Sequence, residues 1–215
     1  MDATAGDTST AEPIIVYSDY VCPFCYLGRE SLSRYQADRE QPLKIEWRLF
    51  DLRRDKRTAD GEIDHSVDDG KDDAYFDQAK ASVQRLQAQY DVDMALDLAI
   101  EVDSLPAQLA SYHVFEQYPY ETWLAFDAAI FEALWVDGRD IGEKAVLREL
   151  AADVDIDPDE ISAVLDDDEH RTKLDEAFTA AQRAGITGVP TFGYDGHAAR
   201  GAVPPEQLRR LVEGA

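Results

Sequence analysis

The chain has 215 residues, 45% apolar and 31% charged, enough to close one generous domain or a compact domain carrying a large insertion. Its 45 acidic residues outnumber 21 basic ones, for a formal net charge of −24; no basic stripe remains to displace counterions from phosphates, which excludes a nucleic-acid reader. Self-repulsion on this scale destabilises a compact chain in dilute buffer and is screened in molar salt, so the composition reads as that of a protein from a high-salt cytoplasm.

Residues 1–12, MDATAGDTSTAE, are small, polar and acidic and read as a disordered tail without the basic start and apolar run of an export signal. Nothing later approaches the roughly 20 apolar residues of a membrane span, and the expectation is a soluble, cytoplasmic protein that meets no membrane. Residues 14 to 17, IIVY, read as a buried strand. Beyond them lies CPFC, and then a helix whose spacing puts Leu27, Ser31, Leu32 and Tyr35 on one face. LKIEWRLF, 43 to 50, alternates apolar and polar residues and predicts a second strand. Strand, helix, strand in this order fits a right-handed crossover in a parallel sheet.

Residues 51 to 71 carry no apolar period and read as a long loop, with the basic run Arg53-Arg54-Asp55-Lys56-Arg57 in solvent. From 72 to 185 the pattern is helical, roughly four to six helices. Val83, Leu86 and Tyr90 share one face, and Leu109, His113 and Glu116 another; Trp123, Phe126, Ile130, Phe131 and Leu134 repeat at threes and fours. Asp157, Pro158 and Glu160 form a capping-box start; that reading displaces a calcium loop over Asp155, Asp157 and Asp159, because Glu160 and Asp166 stand where such a loop needs glycine and glutamate. An isolated His113 reads as a hydrogen-bonded core histidine. After Gly185, VPTFGYDGHAARG reads as two strands around an Asp195-Gly196 turn, and VPPEQLRRLVEG as a last helix. The expected fold is α/β: residues 13–60 and 186–215 form one domain, interrupted by an all-helical insertion over 61–185.

Only two cysteines are present, Cys22 and Cys25, with Pro23 and Phe24 between them. Cys22 falls where the strand gives way to the helix, and there the unpaired N–H groups and the dipole favour a thiolate. Cys25 lies one turn deeper, more buried and harder to ionise. Pro23 suits the first helical turn. Phe24, unlike a histidine, brings no charge to the thiolate, and Asp19 opposes it; both point to a couple that oxidises less strongly. Three other readings compete with redox chemistry: a zinc site, a structural disulfide and two inert buried thiols. Zinc asks for about four ligands, and His65, His113, His170 and His197 are scattered without ligand spacing, so no metal site is expected. A disulfide closing so short a loop restrains little chain entropy.

VCPFCYLG, WRLFDL, AIFEALWVDGRDIGEKAVLREL and AGITGVPTF followed by ARGAVPPEQL, in that order, resemble the DsbA family of thioredoxin-fold proteins, in particular its FrnE-like and 2-hydroxychromene-2-carboxylate isomerase-like subgroup. The resemblance covers the chain from about Pro13 to its end. It implies a thioredoxin-like fold carrying the helical insertion, thiol-disulfide exchange through Cys22 and Cys25, a cis Val189-Pro190 bond beside them, and substrate contacts at Pro23, Phe24, Val189 and Pro190. It implies no cofactor beyond the redox-active disulfide, disulfide-bearing proteins or small molecules as substrates, and a thiol reductant as partner; a homodimer stays open. In a reducing compartment, reductase or isomerase work is favoured over net oxidation. Relatives that use glutathione carry serine where this chain has Cys22. That departure leaves an isomerase or transferase using a small thiol on an aromatic or quinone-like compound as the first alternative. A redox-sensing binding protein or chaperone is the second.

Overall fold

The computed structural model describes residues 12–68, 70–95 and 99–214; the expected tail lies, but for residue 12, outside them. Ile14, Ile15 and Val16 open strand β1 (Ile14–Ser18), where β-branched side chains suit a pleated, buried surface. β1 pairs in parallel with β2 (Ile45–Leu49), Val16 opposite Trp47, across the helix α1 (Pro23–Ala37). On its other side it pairs antiparallel with β3 (Thr191–Tyr194), Val16 opposite Phe192, and β3 turns back into β4 (His197–Arg200). The sheet order is thus β2-β1-β3-β4. Asp195 and Gly196 both take positive φ, 46° and 75°, the geometry of a tight hairpin turn. β2 starts later than the alternation suggests, because the Leu43 N–H goes to the side-chain oxygen of Gln36 at 3.1 Å.

Among the described residues six α-helices lie between β2 and β3: α2 (Asp73–Tyr90), α3 (Leu105–Gln117), α4 (Tyr120–Trp135), α5 (Lys144–Asp153), α6 (Pro158–Leu165) and α7 (Asp168–Arg183); α8 (Pro205–Glu213) follows β4. Part of the acidic excess serves as caps. Asp72, Asp157 and Asp167 each accept a backbone N–H of the first turn of α2, α6 and α7, an arrangement worth about 1 kcal/mol per helix. The capping box expected at Asp157 is only half formed. Glu160 turns its carboxylate to His113 Nε2 at 2.6 Å and the Tyr118 hydroxyl at 2.6 Å instead of reaching back along its own helix. His113 is buried and bonded but not isolated, since its Nδ1 meets His170 Nε2 at 3.2 Å. Glu116, expected on the face of Leu109 and His113, is exposed, as one more turn carries it past the contact with α6 and α7.

The face of α1 toward the sheet runs Cys25, Gly28, Leu32, Tyr35. Gly28 is required by a close approach: a Cβ there would lie 3.1 Å from Pro190 Cγ and 3.2 Å from Phe192 Cζ. Leu32 and Tyr35 join Ile14, Val16, Phe192 and Leu208 in a core beneath the sheet. Tyr20, Val21, Cys22 and Cys25 belong instead to the larger core built on Phe126, Phe131 and Trp135 of α4. The cysteine tip is therefore packed into the insertion.

The loop after β2 is not a solvated run. A short 3-10 turn over Arg54–Lys56 and a bridge from Arg57 to Ile63 shape it, and its arginines reach into the helices. Arg53 donates to the carbonyls of Val102 at 2.5 Å and Ala99 at 2.7 Å; Arg54 binds Asp175 and Thr179 of α7. Arg57, its side chain 9% exposed, holds Asp51 and Asp103 together, 2.5 Å from Asp51 Oδ2 and 2.8 Å from Asp103 Oδ1. Guanidinium groups, with five donors in a fixed fork, can satisfy several acceptors at once, and that brought the run out of solvent.

Candidate active site at the tip of the first helix

Cys22 is the N-cap of α1, with extended backbone (φ −93°, ψ 110°), and Pro23 occupies the first helical position. The Cys22 carbonyl accepts the Cys25 N–H at 2.9 Å, closing the first turn and carrying the second sulfur over the first. Both cysteines are free thiols and buried, Cys22 5% and Cys25 1% exposed. Burial pushes the Cys25 thiol well above its usual range, and the neighbouring Cys22, by hydrogen bonding and by charge, pushes it further. Ionisation at the inner position needs help from its surroundings.

The chain's far end meets this tip. The Val189-Pro190 peptide is cis, as the resemblance implies, and the Cys22 thiol donates to the Val189 carbonyl at 3.4 Å. Pro190 is buried and its own carbonyl takes the Gly201 N–H at 2.8 Å, which anchors the ledge to the residue just past the end of β4. A cavity of about 460 Å³ opens in front of Cys22, lined by Phe24, Leu52, Phe76 and Val189 among others. Pro23, Phe24 and Val189 are partly buried on its wall. Among the described residues no three His, Cys, Asp or Glu side chains converge as metal ligands.

Several supporting residues were not visible as such in the sequence. The carboxyl of Asp19, expected to oppose a thiolate, accepts the Leu52 N–H at 2.9 Å, Gln108 Nε2 at 3.1 Å and the Val21 N–H at 3.4 Å. The Asp19 backbone, by contrast, is one of the groups that favour the Cys25 thiolate. Trp135 donates its indole N–H to the Tyr20 carbonyl at 2.8 Å, and the Tyr20 hydroxyl donates to buried Asp127 at 2.7 Å. Asp127 is paired with Arg29, whose guanidinium stacks on Trp47 at 4.6 Å and Phe131 at 4.9 Å. Neither Trp135 nor Tyr20 stands out as a site residue in the sequence; only the folded contacts show that they fix the loop before Cys22.

Burial, with the charge of Asp51 adding to it, raises the Asp19 carboxyl from 3.8 to about 6. A raised carboxyl pKa means that the folded state holds the proton more tightly, so its stabilising contribution is complete below about pH 4 and is lost as pH rises through about 6. Asn mimics the protonated acid. The stability of Asp19→Asn relative to wild type, measured by urea unfolding, should therefore rise by about 2–3 kcal/mol between pH 4 and pH 7. A flat difference across that window would show an ordinary aspartate.

Comparison with known proteins places this geometry among relatives. The model of the DSBA-like thioredoxin domain matches residues 13–213. The uncharacterized protein YwbO of Bacillus subtilis (strain 168) is 26% identical over 183 residues, 83% of this chain and 84% of that protein. Among solved structures, a 2-hydroxychromene-2-carboxylate isomerase superposes with a TM-score of 0.71 at 20% identity over 93% of this chain and 92% of that one. The cytosolic disulfide reductase DsbM of Pseudomonas aeruginosa, solved with GSH, gives a TM-score of 0.61 at 18% identity over 94% and 93%. At these identities the structural likenesses establish the fold.

Proposed function

We propose that this chain, which belongs to the DSBA-like thioredoxin domain family, exchanges disulfides through Cys22 and Cys25. The observation that carries the reading is the Cys22 sulfur lying 3.4 Å from the Val189 carbonyl, on the open side of the pair and beside a cavity. In the reductive direction the Cys22 thiolate attacks one sulfur of a substrate disulfide; a mixed disulfide forms and the other substrate sulfur leaves as a thiolate. Cys25, as thiolate, then attacks the Cys22 sulfur, the internal disulfide closes, and the second substrate sulfur leaves as a thiolate that takes up a proton. Two electrons pass from protein to substrate, and an external thiol returns them.

Pro23, Phe24, Val189 and Pro190 are the proposed substrate contacts, the ledge offering backbone groups to an extended strand. The substrates are disulfide-bearing proteins or small molecules. The proposed setting is a high-salt cytoplasm, favoured by the net charge of −24; among the described residues no helix is long and apolar enough to cross a membrane.

The cavity favours a second reading, a small anionic thiol as reductant or cosubstrate. Arg53, Lys56 and Lys71 stand on its wall with Tyr75 and Phe76, in a chain otherwise dominated by carboxylates. Cys25→Ser separates the two. In cell extract the variant should accumulate proteins covalently held at Cys22, identified by mass spectrometry after non-reducing separation. If only low-molecular-weight thiols are captured, and turnover with such a thiol survives the substitution, the second reading replaces the first.

A further inference from the structure

Cys25 must become a thiolate in a place where burial opposes it, and the residue best placed to help is on the neighbouring strand. Side chains of β1 alternate, so Ile14, Val16 and Ser18 point to one side, all buried. On that side Ile14 and Val16 meet Leu32 and Tyr35 of α1. Two residues further along, Ser18 comes level with Cys25, because strand and helix run in opposite directions and Cys25 is one and two turns before Gly28 and Leu32 on the same helix face. The Ser18 hydroxyl is one of the groups that favour the Cys25 thiolate.

Ser18 is 7% exposed, and its backbone carbonyl is engaged by the Phe50 N–H at 2.9 Å. Its hydroxyl is different. Among the described residues it has no hydrogen-bond partner in the dithiol form. Buried hydroxyls are nearly always bonded, and one left single beside a sulfur that must acquire negative charge is a donor waiting for its acceptor.

We propose that the Ser18 hydroxyl is the hydrogen-bond donor to the Cys25 sulfur during resolution of the mixed disulfide, a role that rests on the disulfide-exchange reading of the pair. Ser18 keeps its own proton throughout. The proton lost by Cys25 goes to solvent, the Cys25–Cys22 bond forms as the Cys22–substrate bond breaks, and the departing thiolate is protonated from solvent. Stabilising charge that develops only on the attacking sulfur accelerates this step.

The test uses the reduced full-length protein in molar KCl and an aromatic disulfide, 5,5′-dithiobis(2-nitrobenzoic acid), whose thiolate absorbs light. Attack by Cys22 releases one equivalent and attack by Cys25 a second, so stopped flow reads the two steps separately. A hydrogen bond to a charged group corresponds to roughly tenfold to a hundredfold in rate. Ser18→Ala should slow the second phase by that factor relative to the first and move its half-maximal pH upward by about one unit. Ser18→Thr and Ser18→Val give variants of nearly the same shape that differ in the hydroxyl, and Thr should restore most of the rate and the pH midpoint while Val should not. Equal second phases in Thr and Val, or an unchanged pH midpoint in Ala, overturn the role. A wild type that never releases the second equivalent counts against disulfide exchange itself, and so against the premise.

Discussion

Replacing Cys22 by serine will lower the rate of insulin-disulfide reduction by at least about a thousandfold, the scale on which losing a covalent nucleophile is felt. The structure makes the two cysteines unequal enough for a sharp result. Cys22 borders the cavity and can meet a substrate, whereas Cys25 is 1% exposed with its thiol pushed up by burial, so it cannot stand in for the outer residue. Cys25→Ser should behave differently: one sulfur equivalent is released and turnover then stalls at the mixed disulfide. The check is turbidity of reduced insulin followed for wild type and both variants at equal concentration in molar KCl. Full activity in Cys22→Ser would remove that sulfur from the mechanism and leave the small-thiol reading to account for the cavity.

Arg57→Met should cost about 3–5 kcal/mol of unfolding free energy, because the substitution leaves buried carboxylate without its counter-charge. Asp51 is 5% exposed and accepts from Arg57 Nε and Nη2; Asp103 accepts from Nη1 and from the same Nη2, and the Gly61 carbonyl accepts from Nη1 as well. The same arginine ties the loop after β2 to the start of α3, so its removal frees the segment that supplies Leu52 and Arg53 to the cavity wall. Urea unfolding at constant KCl measures the loss. The double variant Arg57→Met with Asp51→Leu removes the stranded charge and should recover a large part of it. A loss below about 1 kcal/mol in the single variant would mean that the group behaves like a surface pair.

The sheet and the cysteine tip were legible because their signals are local. Ile14 to Val16 are β-branched together, Pro23 stands at a helix start, and Asp195-Gly196 suits only a tight turn. The helices between β2 and β3 were legible from their period. What was hidden is what depends on partners distant in sequence. Arginines 53, 54 and 57 look solvated until Val102, Asp175 and Asp103 fold against them. Glu160 fits a capping box by spacing, and only the arrival of His113 and Tyr118 turns it elsewhere. Asp19 was seen as a charge near the sulfurs, but the direction of its carboxyl is set by the Leu52 amide and by Gln108, which no pattern in SDYVC announces.

The contact between Cys22 and Val189 spans 167 residues. During synthesis the thiols leave the ribosome long before the segment that will face them, and β1 waits with one edge unpaired until β3 emerges to fill it. Over that interval the nascent chain offers an open strand edge and two unshielded sulfurs, a combination prone to mispairing and to stray oxidation. The finished ledge therefore also ends a vulnerable period in the life of the polypeptide, since the contact that covers the thiols is made only when synthesis is nearly over.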